Sequence, residues 1–468
     1  MEPVDQVLTV AAMRAAEEAL IQGGSSVDAL MQVAGHGAAE WVWRVAGHHL
    51  VTVLCGPGNN GGDGYVIAEA LRARGGKVRV VAALDPKTDA ARNARALYRG
   101  EVLGPEAEVH GDVLVDCLFG SGLVRPLSDA HVGLLARLAA SHHRSIAVDL
   151  PSGVDSDSGQ PLNAGLPHYL LTIALGAWKQ AHFLMPAAAA MGQLRLVGIG
   201  CASVPGAPGV VARPHIAAPD AETHKYRRGL LAVVGGAMPG AAELACAAAM
   251  GAGAGYVRLL GDGRAVRPRA AALVADPRPL AEALGDDRIA ATLVGPGLGR
   301  DAAARARLET ALAAGHRLVL DADALVLLRR GDCVGDPVGG GVATPHDGEL
   351  ATLERAFGLD GVGTKLDRAR ALAAASGLVI LAKGPDTILA APDGRALFAH
   401  RAAVWLSTAG TGDVLAGVVA SRLASGLAPF EAAAEAVWLH GEAACLAGPA
   451  FSADDLAGEI RRAYTSCL

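Results

Sequence analysis

Between Leu50 and Gly64 the chain reads Leu-Val-Thr-Val-Leu-Cys-Gly-Pro-Gly-Asn-Asn-Gly-Gly-Asp-Gly. An apolar, β-branched strand feeds a glycine loop, and a helical pattern follows from Tyr65 to Arg74. Strand, glycine turn and helix in that order form the opening unit of a parallel sheet. The glycines remove the Cβ atoms that would hold a phosphate away from backbone N–H groups, and the helix N-terminus adds partial positive charge. The segment therefore predicts a site for a phosphate-bearing small molecule. A second cradle stands near the other end, at Ser407-Thr-Ala-Gly-Thr-Gly-Asp-Val-Leu-Ala-Gly417. Two anion cradles in unlike contexts predict two active sites on one chain.

At 468 residues the chain exceeds the roughly 250–300 residues at which one core stops growing, so two domains or more are expected. A composition of 51% hydrophobic residues, 4% aromatics and 60 glycines fits closely packed helices and sheets and argues against disorder. Candidate strands at Leu50–Cys55, Lys77–Leu84, Val113–Cys117, Ser145–Asp149 and Tyr169–Ala174 alternate with helical patterns, which predicts a doubly wound, mostly parallel sheet. An amphipathic helix from Thr9 to Gln22, capped by Thr9 and ended by Gly23-Gly24, precedes them. Residues 202–219 turn to Pro, Gly and Ala and are read as a linker between domains at 1–205 and 220–468. The second half restarts with Leu230–Gly235 and a helix from about Ala241. Strands at Ala291–Gly295, Arg317–Asp321 and Leu378–Ala382 follow, with a long helix after Gly412. The alanine-rich stretch 244–257 is read as a buried core helix, and no internal repeat is evident.

A net charge of −6 gives no general attraction to nucleic acid or anionic membrane. The seven cysteines (55, 117, 201, 246, 333, 445, 467) are scattered without a C-x-x-C pair and read as buried thiols of a reducing compartment. With no secretory signal pattern and no membrane-length apolar run, a cytoplasmic location is expected.

Gly56-x-Gly58-x-x-Gly61 fits the dinucleotide fingerprint, with Asp85 ending the next strand, and alone would suggest a nicotinamide-dependent oxidoreductase. That reading leaves Asn59-Asn60 and Gly62-Asp63-Gly64 without a use. Asp116, Asp149 and Ser152 gather at neighbouring strand ends, where ligands of such sheets bind. An amide carbonyl (Asn60), a carboxylate (Asp116) and a hydroxyl (Ser152) suit a hard cation, and Asp149 is then free for acid–base work. The plainer alternatives are a turn-capping Asp149 and a solvated Asp116.

Gly56-Pro-Gly-Asn-Asn-Gly-Gly-Asp-Gly64, Asp116-Cys-Leu-Phe-Gly-Ser-Gly-Leu-Val-Arg-Pro126, Val148-Asp-Leu-Pro-Ser-Gly153 and Leu8-Thr-Val-Ala-Ala-Met-Arg-Ala-Ala-Glu-Glu18 resemble the NAD(P)H-hydrate epimerase family. The resemblance covers about residues 1–200 and implies a Rossmann-like domain that interconverts the R and S forms of hydrated NADH or NADPH. It implies a potassium ion carried by Asn60, Asp116 and Ser152. Implied substrate contacts are Asn59, Asn60, Gly61, Gly62, Asp63, Gly120, Ser121, Gly122, Leu123, Val124, Arg125, Pro126 and Asp149. Ser121 stands where the family more often has threonine. Epimerisation through loss and return of water passes a cationic ring, which a carboxylate such as Asp149 can stabilise while shuttling the proton.

In the second cradle the glycines lead into a helix whose first N–H groups would face a transferred phosphoryl group. Asp413 sits where a general base could act. The alternative is an N-capping Thr411 or Asp413 on an ordinary helix. Lys383-Gly-Pro-Asp-Thr387 offers a cation and a hydroxyl, Gly295-Pro-Gly-Leu-Gly299 a close-approach backbone, and Thr344-Pro-His-Asp-Gly-Glu349 a histidine. With His224-Lys-Tyr-Arg-Arg-Gly229, Met238-Pro-Gly-Ala-Ala242 and Asp321-Ala-Asp-Ala-Leu325, these segments resemble the ribokinase-like NAD(P)H-hydrate dehydratases over about residues 222–460.

That resemblance implies an ADP- or ATP-dependent dehydration of the S hydrate, with magnesium accompanying the nucleotide. Asp413 would deprotonate the ring hydroxyl. Lys383, Gly384, Pro385, Asp386, Thr387 and Gly412 would contact nucleotide, and Ala241, Gly299, His346 and Asp413 the hydrate. The chain departs from the family pattern at Ala409, Asp347, Pro385 and across His400–Leu406. The expected partners are small molecules, and a homo-oligomer is expected. The runner-up reading is a ribokinase-type kinase of small molecules fused to a non-catalytic Rossmann-like binding domain, and a third makes the first domain a non-catalytic ligand-sensing or scaffolding module.

Overall fold

The computed structural model describes residues 4–263, 270–333 and 340–468. Contacts divide the chain into two units, Met1–Gly209 and Val210–Leu468. Each is a helix-covered α/β unit with its own sheet and core.

In the first unit seven strands run in the order Val102–Leu103, Val78–Ala82, Val51–Cys55, Gly111–Cys117, His142–Val148, Leu171–Leu175 and Gln193–Val197. Every neighbouring pair is parallel. Val51–Cys55 is buried along its whole length, as a central parallel strand must be when helices cover both faces. From it the chain builds outward on one side, then crosses to Gly111–Cys117 on the other. The reversal opens a crevice at the carboxyl ends of these two strands, where open α/β sheets bind ligands. The strand after Val51–Cys55 stops at Ala82, so Asp85 lies beyond it, exposed, and not at its end.

The helix after Val51–Cys55 spans Asn59–Ala73, so Asn59 to Gly64 belong to its first turns and not to a loop ending at Tyr65. Gly58 caps it without a side-chain bond, leaving the first N–H groups open. Gly61 permits the start: a Cβ there would lie 1.9 Å from the Gly56 carbonyl oxygen. The opening helix, Val10–Gln22, begins where Thr9 accepts the Ala12 N–H.

In the second unit the strands run Ala396–Phe398, Ile388–Ala390, Val379–Ala382, Gly341–Ala343, Arg317–Leu320, Ile289–Val294, Leu230–Val234, Tyr256–Leu260 and Val274–Asp276. Only the pairings among the first three of these are antiparallel. The chain reverses between Leu230–Val234 and Ile289–Val294, so Gly235–Met238 and Gly295–Gly299 face each other, joined by the Met238 N–H to Gly297 C=O bond. Helices Pro239–Gly251 and Thr411–Ala424 pack on the sheet through alanines, and Ala453–Ser466 packs against these helices. Gly417 lets two of these backbones touch: a Cβ would stand 2.1 Å from the Ala245 carbonyl oxygen. The helix expected over 244–257 stops at Gly251, because residues from Tyr256 already form the next strand.

Of the cysteines, 55, 117, 201, 246 and 467 are buried thiols, but Cys445 is exposed, and Cys333 falls outside the described side chains. No described helix is long and apolar enough to cross a membrane.

Candidate functional site

Beside the reversal of the first sheet lies a cleft of about 970 Å³. Its wall includes Asn59, Asn60 and Asp63 from the helix, Gly120 through Pro126 from the loop after Gly111–Cys117, and Asp149 at the end of His142–Val148. Gly61, Gly62, Asp116 and Ser152 lie behind that wall, buried.

Asp149 does not cap a local turn. Its Oδ2 accepts the Ser121 N–H at 2.8 Å and its Oδ1 accepts Lys179 Nζ at 2.5 Å. Its backbone is left-handed, φ 65°, a conformation that costs energy and concentrates at functional sites. Burial opposes its charge, but the Lys179 ammonium and these hydrogen bonds hold its carboxyl below the usual range. Lys179 is only 1% exposed, and also donates to the Leu175 carbonyl. His182 joins the pair: Nε2 donates to the Asp149 carbonyl at 2.8 Å, and Nδ1 accepts the Lys179 N–H at 2.9 Å. Burial pushes the His182 pKa down to about 4, so the ring is neutral.

Asp116 is not a solvated strand end either. It is fully buried and accepts from Leu118 N, Ser152 N, Ser152 Oγ and Tyr169 OH. Ser152 Oγ in turn accepts the Phe119 N–H at 2.9 Å, so this pair anchors the loop that forms the cleft wall. Asn60 differs: both atoms of its amide are buried without a hydrogen-bond partner. An orphaned carbonyl oxygen of that kind suits a hard cation, and Asp116 and Ser152 add oxygens of the right chemistry.

The second site gathers at the carboxyl ends of the second sheet. Thr344 Oγ1 and Lys383 Nζ both donate to Asp321 Oδ1 at 2.6 Å, and Lys383 Nζ lies 3.9 Å from Glu349. A Cβ on Gly412 would stand 3.4 Å from Lys383 Nζ, which brings the lysine against the first turn of helix Thr411–Ala424. Gly410, at φ 92°, caps that helix without a side-chain bond. The cap alternative fails for both candidates. Thr411 Oγ1 donates to the Leu406 and Thr408 carbonyls, and Asp413 makes no hydrogen bond to a described group. Burial, then Asp321, push the Asp413 pKa up to about 7, with Lys383 opposing. Next to Asp321, Ala322 is strained at φ 47°. Asp323 follows, accepting the Gly299 N–H at 2.9 Å.

The remaining sequence candidates fall on the rim. Thr387 Oγ1 closes a turn onto the Gly384 carbonyl at 2.7 Å, with Pro385 inside it. Asp386 pairs with Lys365 at 2.7 Å, and Lys365 also reaches Asp347 at 3.1 Å. Asp347, a departure from the family pattern, thus joins the ion pairs behind the loop. His346 caps helix Asp347–Phe357, its Nδ1 accepting the Gly348 and Glu349 N–H groups, while its ring stays exposed. Ala241 lies in the first turn of helix Pro239–Gly251. Among described residues no group of three or more His, Cys, Asp or Glu is arranged to hold a metal.

Sequence reasoning missed Lys179 and His182 in the first unit, and it quoted the segments holding Glu17, Asp321, Asp323, Thr344 and Glu349 without giving those residues a role. The available signal was polarity in the wrong place: Lys179 ends a run from Leu170 to Trp178 whose one polar side chain is Thr172, and Asp321 directly follows Leu318-Val-Leu320.

Comparison with known proteins agrees with two sites. The family model described as YjeF-related protein N-terminus matches residues 27–181, and that described as NAD(P)H-hydrate dehydratase matches residues 231–464. A Mycobacterium tuberculosis protein named bifunctional NAD(P)H-hydrate repair enzyme is 35% identical over 446 residues, 91% of this chain and 90% of its own. One of that name from Gloeobacter violaceus is 34% identical over 91% of this chain and 90% of its own. A solved ADP/ATP-dependent NAD(P)H-hydrate dehydratase from Bacillus subtilis, co-crystallised with ATP and Mg2+, is 27% identical, with a TM-score of 0.46, over 54% of this chain and 95% of its own. The curated relatives span both units in one polypeptide, as this chain does, so the chain belongs to the bifunctional NAD(P)H-hydrate repair enzymes.

Proposed function

We infer that the protein repairs hydrated NADH and NADPH. The first unit epimerises the R and S hydrates, and the second dehydrates the S hydrate at the expense of ADP or ATP. The observation that carries the reading is Asp413, an acid with no described partner whose pKa lies near 7, beside a half-buried lysine at an uncapped helix start. A base with that pKa can accept the ring hydroxyl's proton at neutral pH. The hydroxyl then attacks the nucleotide's terminal phosphorus. Phosphate, a better leaving group than hydroxide, departs as the ring nitrogen lone pair forms C=N+, and loss of a proton from the adjacent ring carbon to solvent then restores the C=C double bond. Lys383 and the open N–H groups of helix Thr411–Ala424 would bind the phosphates, with the Lys383–Thr387 turn below them and magnesium arriving on the nucleotide. Ala241, Gly299 and His346 would border the hydrate.

In the first unit, Asn60 would hold potassium with oxygens from Asp116 and Ser152; the ion's charge would fix the cleft wall and attract the substrate's phosphates. Asp149, fixed as an anion, would stabilise the cationic ring left when water departs. The cytoplasm and a homo-oligomer remain our assignment for location and assembly, the first from the scattered thiols.

The test is to incubate the protein with mixed R and S hydrates, ADP or ATP, magnesium and potassium. The reading expects NADH absorbance to return and both epimers to disappear. Replacing Asp149 with Asn should strand the R hydrate, and replacing potassium with lithium should slow only that epimer. Nucleotide turnover on other hydroxyl compounds, with no return of NADH, would instead select the kinase alternative.

A further inference from the structure

We propose that the first site divides its chemistry between two carboxyl groups: Asp149 is a fixed anion, and Asp63 carries the proton. The proposal rests on the epimerase reading above and assigns a role within it. Both oxygens of Asp149 are occupied, one by the Lys179 ammonium and one by the Ser121 N–H. To take a proton it would have to give up a buried ion pair. Such a group is suited to face a developing positive charge and unsuited to exchange protons.

Asp63 is built differently. It stands in the first turns of helix Asn59–Ala73, lines the same cleft and is 8% exposed. No described group donates to its carboxyl. Burial first, then the negative charges of Asp149 and Glu17, push its pKa well above the usual carboxylate range, with Lys179 opposing. An unpartnered, nearly buried carboxyl lining the same cleft as a fixed carboxylate is the pairing that separates a proton donor from an electrostatic stabiliser.

The step balances without a co-reactant. Asp63 gives its proton to the ring hydroxyl, the C–O bond breaks, and water leaves with the bonding pair. The ring nitrogen's lone pair forms C=N+, whose charge faces Asp149. Water then adds to the same carbon from either face. Its surplus proton returns to the Asp63 carboxylate, relayed by the expelled water when attack comes from the opposite face.

The experiment follows interconversion of the purified hydrates by the full-length chain, with potassium and without nucleotide, so that the second site is silent. Asp63→Asn, matched to the wild type in thermal midpoint, should slow interconversion by at least about 100-fold, the usual contribution of a positioned acid. Asp63→Ala should be slow as well, and formate, a small carboxylic acid able to enter the vacated space, should restore part of its rate. A wild-type rate in Asp63→Asn overturns the proposal. So does a loss in Asp63→Ala that formate leaves untouched, since a purely structural role predicts that outcome. A wild-type protein that cannot interconvert the hydrates overturns the epimerase reading itself.

Discussion

Replacing Asp413 with Asn should make the second unit more stable while abolishing dehydration. The carboxyl titrates at about 3.8 when unfolded and about 7 when folded, because burial and Asp321 disfavour its charge. Below pH 3.8 it is protonated in both states and costs nothing. Between that value and about 7 the unfolded chain releases the proton while the folded chain keeps it, so stability falls as pH rises and levels off above 7. A shift of about three pKa units corresponds to ~4 kcal/mol at full strength. The side chain is only partly shielded from water, and screening reduces this to ~2 kcal/mol at pH 8, and to less than half of that at pH 5. For a unit of this size ~2 kcal/mol is worth about 4–8 °C. Thermal denaturation of wild type and Asp413→Asn at both pH values, without nucleotide, measures it. Equal midpoints at pH 8, or a gain as large at pH 5, would show that Asp413 is not a charge held in an unfavourable place, and the argument for it as the base would fall.

Three further outcomes follow from the same geometry. Removing the Asp321 charge with Asn takes away the strongest neighbour raising Asp413 and frees Lys383 to act on it. The rising limb of the dehydratase pH profile, expected near pH 7, should then move to lower pH, as initial rates of NADH recovery between pH 5 and 9 will show. Lys179→Met leaves Asp149 buried and unpaired, which should cost roughly 3–5 kcal/mol in urea unfolding of the first unit. Adding Asp149→Asn should return most of that stability without epimerase activity; a double variant as unstable as the single would refute the pairing. Gly61→Ala forces a Cβ onto the Gly56 carbonyl, 1.9 Å away. It should unfold the first unit by circular dichroism and leave NADH recovery from the pure S hydrate intact.

The strand–glycine–helix order makes both sheets legible in the sequence, because strands buried on both faces are near-continuous apolar runs. Leu230–Val234 and Val51–Cys55 are of that kind. Short strands such as Gly341–Ala343 and the hairpin Ile388–Ala390 with Ala396–Phe398 were missed, being too brief for any periodicity to register. Helix starts were misplaced for a related reason. Asn59–Gly64 has poor helix propensity, and the helix forms there because glycines let it press against the sheet, a tertiary effect that local sequence does not carry. The charged partners were the hardest to see. Lys179 lies 30 residues from the aspartate it holds, and nothing in its own neighbourhood points there.

Those hidden partners decide how each site works. Both sites contain a lysine, fully buried in the first and half-buried in the second, and an aspartate at the end of a parallel strand or the start of a helix, yet the pKa values of the two aspartates are shifted in opposite directions. In the first unit the Lys179 ammonium binds Asp149 directly, and its charge is spent keeping that carboxylate ionised. In the second, Lys383 is engaged by Asp321 at 2.6 Å, with Glu349 nearby. Little positive charge is left for Asp413, which also feels Asp323. The proposed roles of the two aspartates call for this difference. A cationic ring passing through the first cleft needs a standing negative charge. A hydroxyl about to attack a phosphoryl group needs a base that takes a proton near neutrality, while the lysine beside it remains charged for the phosphate. Whether a lysine's partner is the working carboxylate or a neighbour of it thus separates the two activities more sharply than the identity of either aspartate.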